Sequence, residues 1–421
     1  MAQSLPWSQR PGYPWLRLLV SLLLGTVGSA GMYVVAVVLP AVQAEFSVGR
    51  TGASLPYTLT MLGFGAGSIV MGALSDRLRI VAPLMIGGVV LGIGFFAASQ
   101  AGSILTFGLA SFVVGFGCST TFAPLVADIS LWFTVRRGIA VGIVACGNYA
   151  AGALWPQIVE HVTVTSGWRY TYILVGAISV TIVFALAWLL RPSPPGLASA
   201  GTQRNIGIAE QPSKADPGTI DPDRPLGLPA NGMQALLCLS GISCCVAMSM
   251  PQVHIVALCA DLGYGTVRGA QMLSLMLGCG IISRLFSGWI SDHIGGPRTL
   301  LLGAVLQGIA LVAFLPNQSV NMLFVASAMF GLFQGGIVPS YAMIARELFR
   351  PEQAGMRVSL TITATLLGMA LGGWLSGLIY DLTLSYDWAF INGIAWNLVT
   401  VSIATFLTLR SSRPTRLALA A

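Results

Sequence analysis

The segment GALSDR at residues 72–77 recurs as GWISDH at residues 288–293, about half of the chain length later. Each copy follows a long apolar run and places a glycine, an aspartate and an arginine or histidine in one short polar turn. Other landmarks repeat in the same order at nearly the same spacing: Gly115 and Gly331, then Pro124 and Pro339. This agreement predicts that the chain consists of two homologous halves.

The charge content indicates what kind of protein carries this repeat. Of the 421 residues, 21 are Lys or Arg and 14 are Asp or Glu, so 8% are charged, against about 25% in ordinary soluble domains. A water-soluble globule of this size needs a mostly polar surface, which so few charges cannot provide. The composition therefore excludes a soluble enzyme, a nucleic-acid-binding module and a disordered protein, and it indicates a polytopic membrane protein.

Twelve apolar runs are long enough to cross a bilayer, because a membrane-spanning helix needs about 20 predominantly apolar residues. They lie at residues 16–43, 52–74, 80–99, 104–131, 137–160, 168–190, 233–259, 268–290, 298–315, 320–347, 356–380 and 386–409. Irregular backbone cannot face lipid, so each run is predicted to be helical. Glycine or proline is expected to interrupt several spans, with the prolines at Pro40, Pro124, Pro156, Pro251 and Pro339. The predicted fold class is an all-α polytopic membrane protein with twelve transmembrane helices in two pseudo-symmetric six-helix halves.

A polar, proline-rich segment separates the two halves. It predicts an N-terminal half at residues 1–190, a linker at 191–232 and a C-terminal half at 233–421. If both termini lie in the cytoplasm, seventeen of the 21 basic residues fall on the cytoplasmic side and three on the other side. Cytoplasmic loops of membrane proteins carry an excess of Lys and Arg. We therefore expect a multi-pass protein of the inner (plasma) membrane with a cytoplasmic linker and cytoplasmic termini.

The arrangement of the chain resembles that of the major facilitator superfamily over nearly its whole length. It consists of six spans, a cytoplasmic linker and six more spans. The resemblance implies one substrate cavity near the bilayer midplane, which the two halves expose alternately to either side. The GALSDR segment resembles the superfamily's motif between spans two and three. It departs from that motif at residues 78–80, which read Leu-Arg-Ile instead of a glycine and two basic residues, and His293 replaces the arginine in the second copy.

The resemblance and the local chemistry predict a gate at the cytoplasmic turns. Gly72 would let two helices approach closely, and Asp76 would cap the span-eleven helix or pair with an arginine. Arg77 would pair with Asp128, the only acidic candidate at the end of span four. The other predicted gating residues are Arg137, Asp292 and Arg298. The alternative is that these are ordinary polar residues of short inside turns.

One charge, Arg284, lies inside a predicted span. It comes 16 residues after Arg268 and 8 residues before Asp292, which places it about 12 Å from the cytoplasmic boundary at 1.5 Å per residue. Intramembrane charges are costly and mark functional sites. A guanidinium can hold a carboxylate with two parallel hydrogen bonds, which predicts an anion ligand. The alternative is an arginine that extends its side chain to the cytoplasmic surface.

An arginine on span eight ahead of a Gly-x-x-Ser-Asp turn resembles the monocarboxylate porter group, which includes the oxalate:formate antiporter. Residues 250–258 and 132–142 have a similar character. The resemblance implies that Arg284 binds the substrate carboxylate. The oxalate carrier has an additional lysine in span eleven, which this chain lacks, so a monoanion is expected. Animal members carry an aspartate at the position of Gly280, so the coupling partner, a proton or a counter-anion, stays open.

The sequence thus predicts a secondary transporter that moves a small organic anion, most simply a monocarboxylate, by alternating access. The predicted substrate-binding residues are Arg284, Tyr33, Tyr57, His254, Asn148 and Tyr341. The alternative is an efflux or uptake carrier for a drug or a neutral metabolite, with Arg284 structural. No enzymatic activity, cofactor, metal ion or nucleic acid partner is expected, because no catalytic motif, CxxC pair or His cluster occurs. We expect a monomer in the lipid bilayer.

Overall fold

The structure is a computed structural model that describes residues 12–133, 137–192, 225–315 and 319–411, without the side chains of Asp76, Arg137, Pro351 and Glu352. These ranges contain fifteen α-helices. They are α1 (Tyr13–Gly28), α2 (Ala30–Phe46), α3 (Arg50–Leu78), α4 (Val81–Ser99), α5 (Ile104–Cys118), α6 (Ala123–Trp132), α7 (Arg137–Ser166), α8 (Trp168–Leu189), α9 (Ala230–Asp261), α10 (Thr266–Ile294), α11 (Gly296–Phe314), α12 (Val320–Gln334), α13 (Ile337–Leu348), α14 (Pro351–Thr383) and α15 (Tyr386–Ser411).

Among the described residues, twelve helices or helix pairs are long and apolar enough to cross a membrane, as predicted. Three spans are pairs, because α1 and α2 meet at Ser29, a short 3₁₀ turn at Ser119–Thr121 separates α5 from α6, and Gly335–Gly336 separates α12 from α13. Most of the prolines predicted to interrupt spans do not do so. Pro40, Pro156 and Pro251 lie inside continuous helices, and Pro124 and Pro339 lie in the first turn after a break.

That placement has a simple cause. A proline in the first turn of a helix replaces a backbone N–H that has no intrahelical partner in any case, so it starts α6 and α13 at little cost. Inside a helix, proline removes one backbone hydrogen bond, and neighbouring helices can satisfy the carbonyl that it frees. Pro124 and Pro339 are therefore compatible with helix starts, and Pro40, Pro156 and Pro251 with continuous helices.

The chain divides into two compact units. Unit 1 comprises Met1–Val48 and Leu55–Asn205, and unit 2 comprises Gly49–Ser54 and Ile206–Ala421. The first turn of α3 therefore groups with unit 2, whereas the rest of this helix groups with unit 1. Most of the predicted linker, residues 193–224, lies outside the described residues.

The repeat seen in the sequence is also present in the helix bounds. The repeat alignment, which places Gly72 on Gly288, also places both ends of α3 on those of α10 and both ends of α5 on those of α12. Within unit 1, a Cβ on Gly115 would collide with the carbonyl oxygen of Thr60. Within unit 2, a Cβ on Gly331 would collide with the carbonyl oxygen of Met276, and Met276 aligns with Thr60. Each unit therefore brings the same two helices together through glycine.

Candidate functional site

Arg284 lies on α10 opposite the glycine break of span ten. A Cβ on Gly335 would lie 2.6 Å from the carbonyl oxygen of Gly280 and 2.9 Å from the backbone nitrogen of Arg284. A Cβ on Gly336 would collide with Ser287. Only glycine at these two positions permits so close a contact between α10 and the break of span ten, which separates α12 from α13. The half-buried Arg284 side chain thus begins beside an irregular stretch of backbone, the type of position at which many transporters bind their substrates.

A buried amide pair flanks the same break. Gln334 is the last residue of α12, and its Oε1 accepts a hydrogen bond of 2.9 Å from Nε2 of Gln252. Gln252 follows Pro251, the proline inside α9. The bond therefore joins a proline-containing segment of one helix to the glycine break of another. Neither glutamine is among the six predicted substrate-binding residues, although Gln334 is one of the other mid-span polar residues that the sequence offers as cavity candidates. Gln252 was not singled out, because a single polar residue in an apolar run carries little signal by itself.

Two predicted binding residues of unit 2 form bonds between helices. His254 is fully buried; its Nε2 lies 2.9 Å from the carbonyl oxygen of Gly373, and its Nδ1 lies 3.5 Å from the hydroxyl of Tyr386. Tyr341 is also fully buried, and its hydroxyl lies 2.9 Å from that of Ser240. In this structure both side chains join helices within unit 2, and their substrate-binding roles stay predictions.

The structure brings together two other predicted binding residues, both in unit 1. The hydroxyl of Tyr33 on α2 donates a hydrogen bond of 2.6 Å to Oδ1 of Asn148 on α7. Tyr57 on α3 is buried in the same unit. The substrate-binding roles of Tyr33, Tyr57 and Asn148 stay predictions. The hydrogen bond between Tyr33 and Asn148 was not predicted.

Asp128 has a different partner from the predicted one. The sequence predicts Arg77, but in the structure both carboxylate oxygens of Asp128 accept hydrogen bonds from Arg17, at 2.7 and 2.8 Å. The Arg17 guanidinium also donates to the hydroxyl of Tyr13 and lies over the ring of Trp132. Arg17 is 1% exposed and Asp128 is 9% exposed. A basic residue at the start of the first span was the available signal, but nothing in the sequence pairs it with span four.

Gly72, Asp292 and Arg298, three further predicted gating residues, lie near helix ends. A Cβ on Gly72 would meet no described atom within 4 Å, so the close helix approach predicted there is absent from the described part of this structure. Asp292 and Arg298 are exposed, at the end of α10 and the start of α11. The side chains of Asp76 and Arg137 lie outside the described residues. A gating role for any of these residues therefore stays a prediction.

A polar cluster that the sequence did not indicate lies in unit 2. Asp381 on α14 accepts hydrogen bonds from the backbone N–H groups of Arg50 and Thr51, both at 2.8 Å, and from the Thr51 hydroxyl. It thus caps the first turn of α3. The Arg50 guanidinium forms an ion pair of 2.6 Å with Asp261 at the end of α9 and lies over the ring of Tyr380. These partners are 211 to 331 residues apart, too far for sequence patterns to pair them.

Comparison with known proteins extends these observations. Monocarboxylate transporter 13 of Rattus norvegicus is 28% identical over 369 residues, which cover 83% of this chain and 79% of the rat protein. Agnestins efflux protein AgnL12 of Paecilomyces divaricatus is 23% identical over 73% of this chain and 67% of that protein. A solved bacterial homolog of the human lysosomal transporter Spinster, inward-facing and occupied, has the same fold at 16% identity. Its TM-score is 0.70, with 96% of this chain and 97% of that chain covered.

The family described as the Major Facilitator Superfamily matches residues 21–316 and 235–420, which together include nearly all of the chain. The twelve spans, the repeated helix bounds and the fold of the solved neighbour agree with this match. The chain therefore belongs to the Major Facilitator Superfamily of membrane transporters.

Proposed function

We propose that this transporter carries a small organic monoanion, most simply a monocarboxylate, and that Arg284 binds its carboxylate. The observation that carries the proposal is the position of Arg284 in the interior of α10. There, Gly335 and Gly336 allow the break of span ten to lie in close contact with α10. A guanidinium binds a carboxylate through two parallel hydrogen bonds, and it keeps its charge at any physiological pH. The similarity to monocarboxylate transporter 13 supports the same substrate class.

The number of interior charges favours a monoanion over a dianion. Helix α14 carries no charged residue between Arg357 and Asp381, so it offers no second cation in its interior. A dianion bound at one guanidinium would keep a net negative charge in a low-dielectric site, which is costly. A monoanion is neutralised by Arg284 alone.

The proposal includes the placement of the protein. The excess of Lys and Arg on one side favours cytoplasmic termini in the plasma membrane, by the positive-inside rule. Transport coupled to a proton and exchange for a counter-anion are the two coupling modes to be compared. A pH gradient across the membrane distinguishes them, since it drives only the first directly.

The test is uptake of labelled lactate, pyruvate, formate and oxalate into proteoliposomes, with and without a pH gradient. We expect uptake of at least one monoanion and a tenfold to hundredfold loss in Arg284→Ala, because a charged hydrogen-bonding partner is removed. The matched control is Arg268→Ala on the same helix, whose exposed side chain contacts Gln271 and should not affect uptake. Normal uptake by Arg284→Ala would refute the carboxylate anchor.

The second candidate is a carrier for a drug or a neutral metabolite, favoured by the similarity to the agnestins efflux protein. Arg284 would then stabilise the contact between α10 and the break of span ten. In that case the wild-type protein transports none of the four anions, and Arg284→Ala lowers the thermal stability of the purified protein while transport of the neutral compound persists.

A further inference from the structure

The buried amide pair Gln252–Gln334, near Arg284, contains a polar atom without a hydrogen-bond partner among the described residues. Oε1 of Gln334 accepts a hydrogen bond from Gln252, but Nε2 of Gln334 is buried and has no hydrogen-bond partner among the described residues. Interchanging the oxygen and nitrogen atoms of both amides would exchange their roles, yet one atom of Gln334 would still lack a partner. A buried polar atom without a partner costs free energy and calls for an explanation.

Other buried amides of unit 2 bond in a different way. The amide nitrogens of Gln307, Asn397 and Gln234 donate to the backbone carbonyl oxygens of neighbouring helices, at Cys244, Ala304 and Arg357. Each leaves only a carbonyl oxygen unpartnered among the described residues, and a carbonyl is less costly to bury than an N–H group. They serve helix packing. The Gln252–Gln334 pair instead joins two side chains and leaves one polar atom of the Gln334 amide unused, which is the N–H donor in the orientation of the structure.

The repeat shows that the fold does not require this pair. In the repeat alignment, Ala36 and Cys118 occupy the positions of Gln252 and Gln334, and both are buried in unit 1. Unit 1 therefore builds the same helices, including the end of α5 at Cys118, without an amide at either position. Ser68 occupies the position of Arg284, so the guanidinium and both amides belong to unit 2 alone.

We propose that Gln252 and Gln334 determine substrate specificity: they form a hydrogen bond to a polar substituent of the monoanion whose carboxylate is held by Arg284. Gln334 immediately precedes the glycine break that contacts the backbone of Arg284, so the two residues start from neighbouring backbone positions. The unused amide group of Gln334 is the partner for a hydroxyl or a carbonyl oxygen on the carbon next to the carboxylate. This inference rests on the proposed function.

The experiment compares uptake of lactate and propionate by the full-length protein in proteoliposomes. Both are three-carbon monoanions, and they differ by the hydroxyl at the second carbon. Wild type should transport lactate at least tenfold better in kcat/KM, because a site built to bond a hydroxyl rejects the analogue without it. Gln334→Met and Gln252→Met should lower this preference about fivefold by weakening lactate transport, while propionate transport changes little.

Gln307→Met is the matched control, because Gln307 is a buried amide of the same unit that bonds backbone. It should lower the unfolding temperature and leave the lactate preference unchanged. Gln252→Met carries the test if Gln334→Met does not fold, since Gln252 is 7% exposed and Gln334 is fully buried.

The outcomes separate this inference from the proposed function. If wild type transports neither lactate nor propionate nor any other monoanion, the proposed function fails. If wild type transports both compounds equally well, or if the folded glutamine variants keep the wild-type preference, the pair is a structural bond and this inference is overturned.

Discussion

The two units use the same scaffold and bury different polar groups. In unit 1 the buried ion pair is Arg17 with Asp128, and the aligned residues of unit 2, Met233 and Ile344, are apolar and fully buried. Unit 2 has the polar residues Gln252, Arg284 and Gln334, where unit 1 has Ala36, Ser68 and Cys118. Both units keep the glycine contact that Gly115 and Gly331 make between aligned helices. The buried polar residues named here differ between the units.

The largest expected effect comes from breaking the ion pair of unit 1, which unit 2 replaces with apolar residues. Arg17→Met or Asp128→Ile alone should lower the free energy of unfolding by about 3–5 kcal/mol, because each leaves a buried charge without its partner. The double variant reproduces the residues of unit 2. Since a well-packed apolar pair can replace a buried ion pair at little cost, it should recover most of the loss.

Denaturation in mixed micelles measures these three variants. A double variant as unstable as the single ones would show that the apolar solution of unit 2 cannot be transferred to unit 1. The comparison between the units would then fail at this position.

The next effect tests the contact that the units share. Gly115→Ala and Gly331→Ala should each cost about 1–3 kcal/mol, because the new methyl group meets a backbone carbonyl that cannot move aside. Gly72→Ala and Gly288→Ala are the matched controls, since a Cβ there meets no described atom within 4 Å. Unfolding temperatures of the purified variants check this prediction. Unequal losses at Gly115 and Gly331 would show that the two contacts are not equivalent.

The smallest effect concerns acidic residues at the ends of matching helices, Glu45 of unit 1 and Asp261 of unit 2. Glu45 pairs with Arg169, and both side chains are about 40% exposed, so Glu45→Gln should cost less than about 1 kcal/mol. Asp261 pairs with Arg50, which is nearly buried, so Asp261→Asn should cost about 1.5 kcal/mol or more. Unfolding at low and high salt separates them, because only the exposed pair should be screened strongly.

The features that the sequence predicted correctly are local ones. An apolar run is visible within about 20 residues, so the twelve spans and the repeat were predicted. The bounds of most predicted spans lie close to those of the helices. Arg284 could be singled out because it is a charge inside such a run, but its binding role stays a prediction. The family resemblance suggested the substrate class, which the spacing alone could not supply and which stays a proposal.

The features that were missed depend on partners far apart in the chain. Arg17 and Asp128 are 111 residues apart, and Gln252 and Gln334 are 82 residues apart, so no pattern in one span pairs them. The positions of the breaks were predicted only in part. Glycine or proline was expected to interrupt spans, and two of the three breaks fall just before Pro124 and Pro339, whereas the third falls at Ser29. At Gly335–Gly336, close contact with α10 requires glycine.

The cap on α3 has a consequence for biosynthesis. Thr51 donates to Asp381, which the ribosome adds 330 residues later. At about 5–20 residues per second, roughly 20–60 s pass between the synthesis of the two residues. During that interval α3 is already in the growing chain, and the N–H groups of its first turn lack their final acceptor. The start of α3 is thus completed only when the eleventh span has been synthesised, so a nascent chain truncated before Asp381 lacks the acceptor that caps this helix.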